Sequence, residues 1–537
     1  MASTSLTLCW TASTGATGYT VLSGGATVAT TTTACATVTG LTAAQAYTFT
    51  VTANDASHTS AASSPLVVTT APPPPADLAV SEETTTSAKV CWTPSTRATG
   101  YTVLNLGSIP LATTTTAATC TTVSGLAAGL SYTFVVTAQD ADGHSSDPAS
   151  VAAATATGDS TCTVPGLPAF ASLPGNPRFP DPFRMMDGGR ISLFDQWTCR
   201  RSQISSLVQG FELGPKPGAP DSVTGDFHAG TNTLTVTCQV GGNTISFDAR
   251  ITYPSTGSGP FPALIGVGAS SLDNTALANL GVAIVNFPSD DLAQQVDGSS
   301  RGQGKFYTLW GSDTPAGALI AWSWGVSRLI DALEQTPAAN IDTSHLGVTG
   351  CSRWGKGALV AGAYDDRIAL TIPQESGAGG AASWRVSQAQ LKAGQNVQTL
   401  GEIVGENVWF TSSFSRFGGA VDKLPFDQHE VAGLVAPRGL LVVENTSMEW
   451  LGNLSTFTNA SATRMIWQGL GVGDRMGYSQ LGGHNHCAFP AAQQPEVTAF
   501  VSRFLLGQDV DTSVFETDGG FTFDAAKWVD WTVPSLQ

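Results

Sequence analysis

The chain has 537 residues, a formal net charge of −17 and only 12% charged residues, too long for a single core, so about two to four domains are expected. The acidic balance argues against nucleic acid or an anionic membrane surface as partner and suits a weakly charged polymer such as a polysaccharide. No apolar run reaches the roughly eighteen residues of a transmembrane span. Residues 1–156 contain an internal repeat. Cys9-Trp10-Thr11 recurs as Cys91-Trp92-Thr93, residues 16–22 recur as 98–104, and Gly40-Leu41 with Tyr47-Thr48-Phe49 recurs as Gly125-Leu126 with Tyr132-Thr133-Phe134. Alternation over 47–53 gives one apolar face, as in a half-buried strand.

A tryptophan on an early strand, with a Leu-x5-Tyr corner ahead of an alternating strand, resembles the fibronectin type III sandwich. The resemblance sets modules at 1–71 and 77–156, joined by a stiff proline-rich spacer at 72–76. The first module lacks a counterpart of the opening strand at 77–80, so an exposed edge is expected there. Neither module shows a catalytic constellation. With Trp10 and Trp92 read as core, they read as spacers rather than carbohydrate-binding units. The nine cysteines include no CxxC pair and fit disulfides of an oxidising compartment rather than a metal site. Cys9 with Cys35 and Cys91 with Cys120 fall on strands expected to be neighbours. The odd count leaves one free thiol, expected at Cys238. Sequons at Asn445, Asn453 and Asn459 agree with secretion, and the chain reads as a mature or trimmed secreted product.

Texture changes from Thr161 onward. Residues 162–201 read as an irregular segment draped over a core and pinned by Cys162–Cys199. Residues 233–240 and 245–251 alternate as a hairpin, while 261–267 and 282–287 are apolar runs of the buried parallel type. An amphipathic helix is expected over 316–333, then a polar connector at 340–344 and a short buried strand at 346–348. A helix over 358–363, strands at 368–372 and 439–444, and a final helix over 495–506 complete an α/β layering.

Gly350-Cys351-Ser352-Arg353-Trp354-Gly355 lies between that short strand and a helix. A serine on such a turn is pushed into a cleft, and the amides of the helix's first turn can receive an oxyanion. Gly355, however, stands three residues after Ser352, where the common pattern has glycine two after, and Trp354 takes that place. The motif alone leaves a nucleophile and a plain strand–helix turn equally open. A base and an acid should follow in chain order. His429, His484 and His486 are the downstream histidines, and His486 in the glycine-rich loop is preferred. His484 reads as a hydrogen-bonded loop residue. Cys487 follows His486 as Cys351 precedes Ser352, so a bond between them would tie the base to the nucleophile. For the acid, Glu375 and Glu444 each end an apolar strand, with Glu449 nearby, and sequence physics does not separate the first two.

Several motifs then resemble the glucuronoyl esterases, carbohydrate esterase family fifteen. They are Gly350-Cys351-Ser352-Arg353-x-Gly355-Lys356-Gly357-Ala358, Gln374-Glu375-Ser376-Gly377-x-Gly379-Gly380 and His486-Cys487-x-Phe489-Pro490, with Trp324 to Asp331 and Leu424 to His429. The resemblance implies an α/β-hydrolase three-layer sandwich over 160–537, Ser352 as nucleophile, His486 as base, Glu375 as acid and a Cys351–Cys487 disulfide. It also implies Arg353 at the oxyanion, and Lys356, Gln398, Glu406 and Trp450 on the sugar. Without it, Trp450 reads as core and Glu406 as a solvated loop charge. Some bacterial members carry the acid two residues before the binding tryptophan; Met448 stands there, which favours Glu375. The implied reaction cleaves the ester between 4-O-methyl-D-glucuronic acid side chains of xylan and lignin alcohols. It needs no metal or organic cofactor, and a secreted monomer free of nucleic acid and membrane is expected. The rivals are an acetyl-xylan or feruloyl-type esterase and a non-catalytic xylan-binding protein.

Overall fold

Alternating Val, Tyr and Phe residues build the N-terminal part. In the computed structural model, which describes residues 3–81, 87–106, 113–124, 126, 131–154 and 162–536, the chain divides into Met1–Gly158 and Asp159–Gln537. The expected ends at 156 and 160, and Gly125 of the repeat, fall outside the described residues. In the first module Gly18–Ser23, Ala26–Thr31, Ala46–Asn54 and Leu66–Thr69 form a four-stranded antiparallel sheet. The pair Ser5–Cys9 and Cys35–Thr39 closes Leu6, Leu8, Val38 and Phe49 into one core with it. The second module repeats the plan but adds Ala76–Ser81 as a third strand beside Ser87–Thr93. The first module has no such strand among its described residues, so Ser5–Cys9 is an edge. Cys9 faces Cys35 and Cys91 faces Cys120 in register, and both pairs are disulfide-bonded. Trp10 and Trp92 pack edge-on or tilted against Tyr19 and Tyr101 in the two cores. The proline spacer does not stand clear: Pro72 and Pro75 are buried, and Ser3 Oγ donates to the Pro72 carbonyl.

The larger unit carries one ten-stranded sheet, whose strands are labelled here in chain order: β1 Ser222–His228, β2 Thr233–Val240, β3 Asn243–Thr252, β4 Phe261–Val267, β5 Ala283–Phe287, β6 Ile341–Cys351, β7 Ile368–Gln374, β8 Gly439–Glu444, β9 Met476–Gln480 and β10 Phe515–Thr517. The spatial order is β1-β2-β3-β5-β4-β6-β7-β8-β9-β10. The first three strands form an antiparallel meander joined to β5, and from β5 to β10 every pair is parallel. Helices cover both faces, and the main core and a second apolar cluster fill the two sides of the sheet.

The structure corrects the expected elements in several places. The strand before Ser352 starts at Ile341, not Leu346: Phe261 pairs with Ile341 and Ala263 with Leu346, so polar residues 342–345 bulge opposite Pro262, which has no N–H to give the ladder. The helix expected to be amphipathic is Ala318–Gln335, and it is buried on nearly every side, leaving only Asp331, Glu334 and Gln335 outward. Its polar members are satisfied internally; the indoles of Trp322 and Trp324 donate to the carbonyls of Ala293 and Gly218. Residues 162–195 are irregular, but Gln196–Val208 is a helix carrying Cys199, which is bonded to Cys162. The helix expected to be last is Gln494–Phe504, and β10 and Ala525–Trp528 follow it. Cys238 is the free cysteine, buried on β2, with burial pushing its thiol up to about 12.

Two sequons are closed. Asn445 and Asn459 are buried, and the Asn445 amide is spent on Glu375 and His484. Asn453 is partly exposed and donates to the Thr446 carbonyl.

Candidate active site

Parallel strands deliver the site at their carboxyl ends, the position at which open α/β sheets bind ligands. Ser352 caps β6 and opens the helix Arg353–Tyr364 with φ 59° and ψ −123°. Its N–H donates to the Gln374 carbonyl on β7, and its own carbonyl receives the Lys356 N–H. Glu375, at the end of β7, has φ 43°, and Cys487 in the loop after β9 has φ 62°. Three non-glycine residues in the left-handed region thus converge at one place, the pattern of strain held by surrounding structure.

The displaced glycine has a spatial explanation. Trp354, standing where glycine is common, lays its indole over Gly268, which follows β4 with φ +71°; a Cβ there would lie 2.6 Å from the ring. The close approach is made on the neighbouring strand. Gly355 serves a second contact, since its Cβ would lie 2.5 Å from the Gln374 carbonyl.

Glu375 Oε2 lies 2.7 Å from Nδ1 of His486 and accepts the Cys487 N–H at 3.0 Å. The Gln374 amide donates to Oε1 at 3.3 Å and Asn445 reaches Oε2 at 3.4 Å. Burial alone would raise the Glu375 carboxyl, but the bonds from His486 and the Cys487 amide outweigh it and hold it below the ordinary range. The charge on the acid therefore favours Nδ1–H on His486, which leaves Nε2 as acceptor. That Nε2 is shielded from solvent and has no hydrogen-bond partner. The Cys351–Cys487 disulfide, Cα–Cα 5.8 Å, joins the residue before Ser352 to the residue after His486. A ring nitrogen of His486 lies within 4.8 Å of both sulfurs, and the sulfurs, being bonded to one another, offer no thiolate to a metal. The other group with ligand-like spacing, Asp140, Asp142 and His144, already engages Arg97 and its own imidazole.

Glu444, left level with Glu375 by the sequence, lies elsewhere in the network. Its Oε1 accepts the Ser376 N–H at 3.0 Å and faces the Ser376 hydroxyl at 3.3 Å. Burial and the Glu375 charge push it up to about 8, so it is a neutral acid at pH 7. Glu449 is exposed. His484 is a loop residue bonded to the Leu481 carbonyl. His429 is buried beside Phe179 and Trp531, its Nε2–H donating to the Pro180 carbonyl, and burial pulls it down to about 4.

The remaining expected residues fall in two groups, one running from His486 through Trp450 and Gln398 to Glu406 and one on Trp409. Trp450 is partly exposed and sets its ring edge-on to His486, centroids 4.9 Å apart. Its carbonyl accepts the Gln398 N–H at 3.0 Å, and the Gln398 side chain donates to Glu406. Lys356 is buried with its ammonium 5.3 Å from the Trp409 ring centroid, and Arg353 lies 5.4 Å from the same centroid. Burial pulls the ammonium down to about 8, against the opposing attraction of the Glu406 carboxylate. Asn445 and Trp409 were not singled out from the sequence as part of this network. Asn445 registers only as a sequon, and Trp409 has no spacing signal of its own. A groove of about 700 Å³ lined by Thr198, Ser202, Gln209 and Asp366 contains none of these residues.

A family model described as fungal glucuronyl esterase matches residues 236–471, and one for the fibronectin type III domain matches 73–152. A 4-O-methyl-glucuronoyl methylesterase of Hypocrea jecorina is 50% identical over 383 residues, which is 71% of this chain and 81% of the relative. The chain belongs to the glucuronoyl esterases. Another 4-O-methyl-glucuronoyl methylesterase, from Neurospora crassa, is 48% identical over 377 residues, 70% of this chain and 93% of its own. Among solved structures, the glucuronoyl esterase catalytic domain from Hypocrea jecorina aligns with TM-score 0.66 and 51% identity over 69% of this chain and all of that one. A serine-to-alanine variant of a Sporotrichum thermophile glucuronoyl esterase, in complex with methyl 4-O-methyl-β-D-glucopyranuronate, aligns with TM-score 0.65 and 45% identity over 68% and 97%. As a glucuronoyl esterase, this chain is a carboxylic ester hydrolase. No helix among its described residues is long and apolar enough to cross a membrane.

Proposed function

We propose that this chain hydrolyses the ester joining a 4-O-methyl-D-glucuronoyl side chain of xylan to a lignin alcohol, with Ser352, His486 and Glu375 as its catalytic set. The observation that carries the reading is the 2.7 Å contact between Glu375 and Nδ1 of His486, with Nε2 shielded and unpartnered beside the disulfide to residue 351. The Ser352 hydroxyl is not hydrogen-bonded to that nitrogen in this structure, and catalytic hydrogen bonds of this kind tighten in the Michaelis complex.

The Ser352 proton passes to Nε2 as Oγ bonds to the uronoyl carbonyl carbon. The tetrahedral oxyanion is met by the Arg353 N–H, one of the unpaired amides of the helix's first turn, and by the Arg353 guanidinium. Collapse breaks the carbon–oxygen bond to the alcohol, which leaves with the proton from His486. Water, deprotonated by the same imidazole, then attacks the acyl-enzyme and releases the uronic acid and free Ser352. Lys356, Gln398 and Glu406 hydrogen-bond the sugar hydroxyls, and Trp450 covers a ring face. The four disulfides support a secreted enzyme, and we read it as a monomer.

The test is hydrolysis of benzyl 4-O-methyl-glucuronate by wild type, Ser352→Ala, His486→Ala and Glu375→Gln. Each variant is expected to lose roughly a thousandfold or more in kcat. Full activity of Glu375→Gln would reassign the acid. A preference for acetyl or feruloyl esters over the glucuronate would overturn the substrate assignment, and ligand binding with no wild-type turnover would leave only a docking role.

A further inference from the structure

Two cations that the reading above assigns to different tasks meet on one aromatic ring. Arg353 and Lys356 stand three residues apart on the first turn of the helix, so they share a face. Both charged heads sit over Trp409, the guanidinium carbon at 5.4 Å and the ammonium at 5.3 Å from its centroid. They repel one another, and burial already disfavours the ammonium. Among the described residues no hydrogen bond or ion pair of the ammonium is found. The Trp409 ring, 5.3 Å away, is an aromatic face that the ammonium meets, with Glu406 attracting it through space.

The indole itself is fixed from several sides. Its Nε1–H donates to Gln295 Oε1 at 2.8 Å, and Gln295 in turn donates from Nε2 to Asp290 at 3.0 Å. Asn407 Nδ2 donates to the Gln295 carbonyl at 2.7 Å. The Trp409 carbonyl accepts the Leu319 N–H at the start of the buried helix Ala318–Gln335. That approach requires glycine at 317, where a Cβ would lie 2.2 Å from the Trp409 oxygen. The ring is only 2% exposed. A side chain held this firmly can hold others.

We infer that Trp409 is a positioning residue for the ester cleavage: its π face holds the Arg353 guanidinium and the Lys356 ammonium at the separation that the oxyanion and the sugar hydroxyls require. It touches neither substrate nor reacting atoms and acts through the two cations. The inference rests on the proposed roles of Arg353 and Lys356.

The test replaces Trp409 alone with tryptophans carrying one, two and four ring fluorines, by site-specific incorporation in the full chain. Fluorination drains the π face while keeping the shape, and it strengthens the Nε1–H as a donor, so the Gln295 bond is preserved. The expected result is a stepwise fall in kcat/KM for benzyl 4-O-methyl-glucuronate, reaching roughly five- to thirtyfold with four fluorines, at unchanged Tm. On a simple acetate ester, where the sugar contacts of Lys356 are not used, the loss should be smaller and confined to kcat. Undiminished kcat/KM in the tetrafluoro protein overturns the inference. Arg353→Ala and Lys356→Ala run beside it. If both lose activity while fluorination has no effect, the site reading stands and Trp409's part in it is refuted. If neither loses activity, the roles beneath fail and the inference falls with them.

Discussion

Replacing both Cys351 and Cys487 by alanine removes the bond between the Ser352 turn and the His486 loop while leaving every other anchor of that loop in place. The residues bridged are 136 apart, and chain-entropy reasoning for a loop of that length gives about 5 kcal/mol. For a unit the size of Asp159–Gln537 the unfolding entropy is about 0.8 kcal/mol per kelvin, so that loss lowers Tm by only about 6 °C. The loop stays folded at 25 °C, because Gly482 N–H donates to Asp518, Gly483 N–H to Ser447, and Cys487 N–H to Glu375. What changes is the constraint on Nε2, which no hydrogen bond holds. A displacement near 1 Å costs roughly a hundredfold in rate, so kcat is expected to fall roughly ten- to hundredfold. KM should change little, since Lys356, Gln398 and Glu406 are not attached to the loop and only Trp450 packs against it. The assay is kcat and KM on benzyl 4-O-methyl-glucuronate at 25 °C, with Tm by calorimetry. A variant that loses the expected few degrees yet keeps kcat within about twofold of wild type refutes the claim that the bond works by position.

Glu444→Gln should keep activity within a few-fold at pH 7, because the residue is already neutral and its replacement still accepts from Ser376. The wild-type carboxyl has its folded pKa raised to about 8, so the stability it contributes is fully present below its unfolded pKa and is lost as pH rises toward 8; the variant's Tm should therefore decline less than wild type's between pH 5 and 9, and parallel curves would count against a buried neutral acid. Lys356 loses its charge as pH rises through about 8, so KM for the glucuronate should climb between about pH 7 and 9 (roughly the window one decade either side) while KM for an acetate ester stays flat; a flat glucuronate profile removes the ammonium from sugar binding. Glycopeptide mapping of protein secreted from a eukaryotic host should find no sugar on Asn445 or Asn459, with Asn453 the sequon left open to modification; a glycan on Asn445 contradicts the buried amide that holds Glu375.

The sequence carried more of the sheet than of its margins. Strands β4, β5, β7 and β8 were legible because a parallel strand covered on both faces is a nearly unbroken apolar run. β9 escaped because Ser479 and Gln480 are buried there as polar residues, satisfied by Gln493, Asn453 and Thr456, partners no local pattern announces. β6 was cut short because its polar half bulges opposite a proline. The candidate site was legible where chemistry falls at a strand end or in a glycine-rich loop, as with Ser352, Glu375 and His486. Choosing between Glu375 and Glu444 turns on which carboxylate the histidine meets, a fact of three dimensions that the resemblance implies and no local pattern spells out. Asn445 stayed hidden because a sequon and a buried amide are spelled alike.

Trp354 and Gly268 are a single working part divided between the first turn of a helix and the end of a neighbouring strand. A side chain added at Gly268 runs into the indole, and a smaller residue at 354 leaves empty the space that the glycine surrendered. A combinatorial library that varies the turn around Ser352 while Gly268 stays fixed would therefore explore only the bulky half of the solutions. A text search for serine esterases keyed to glycine two places downstream would pass this chain by.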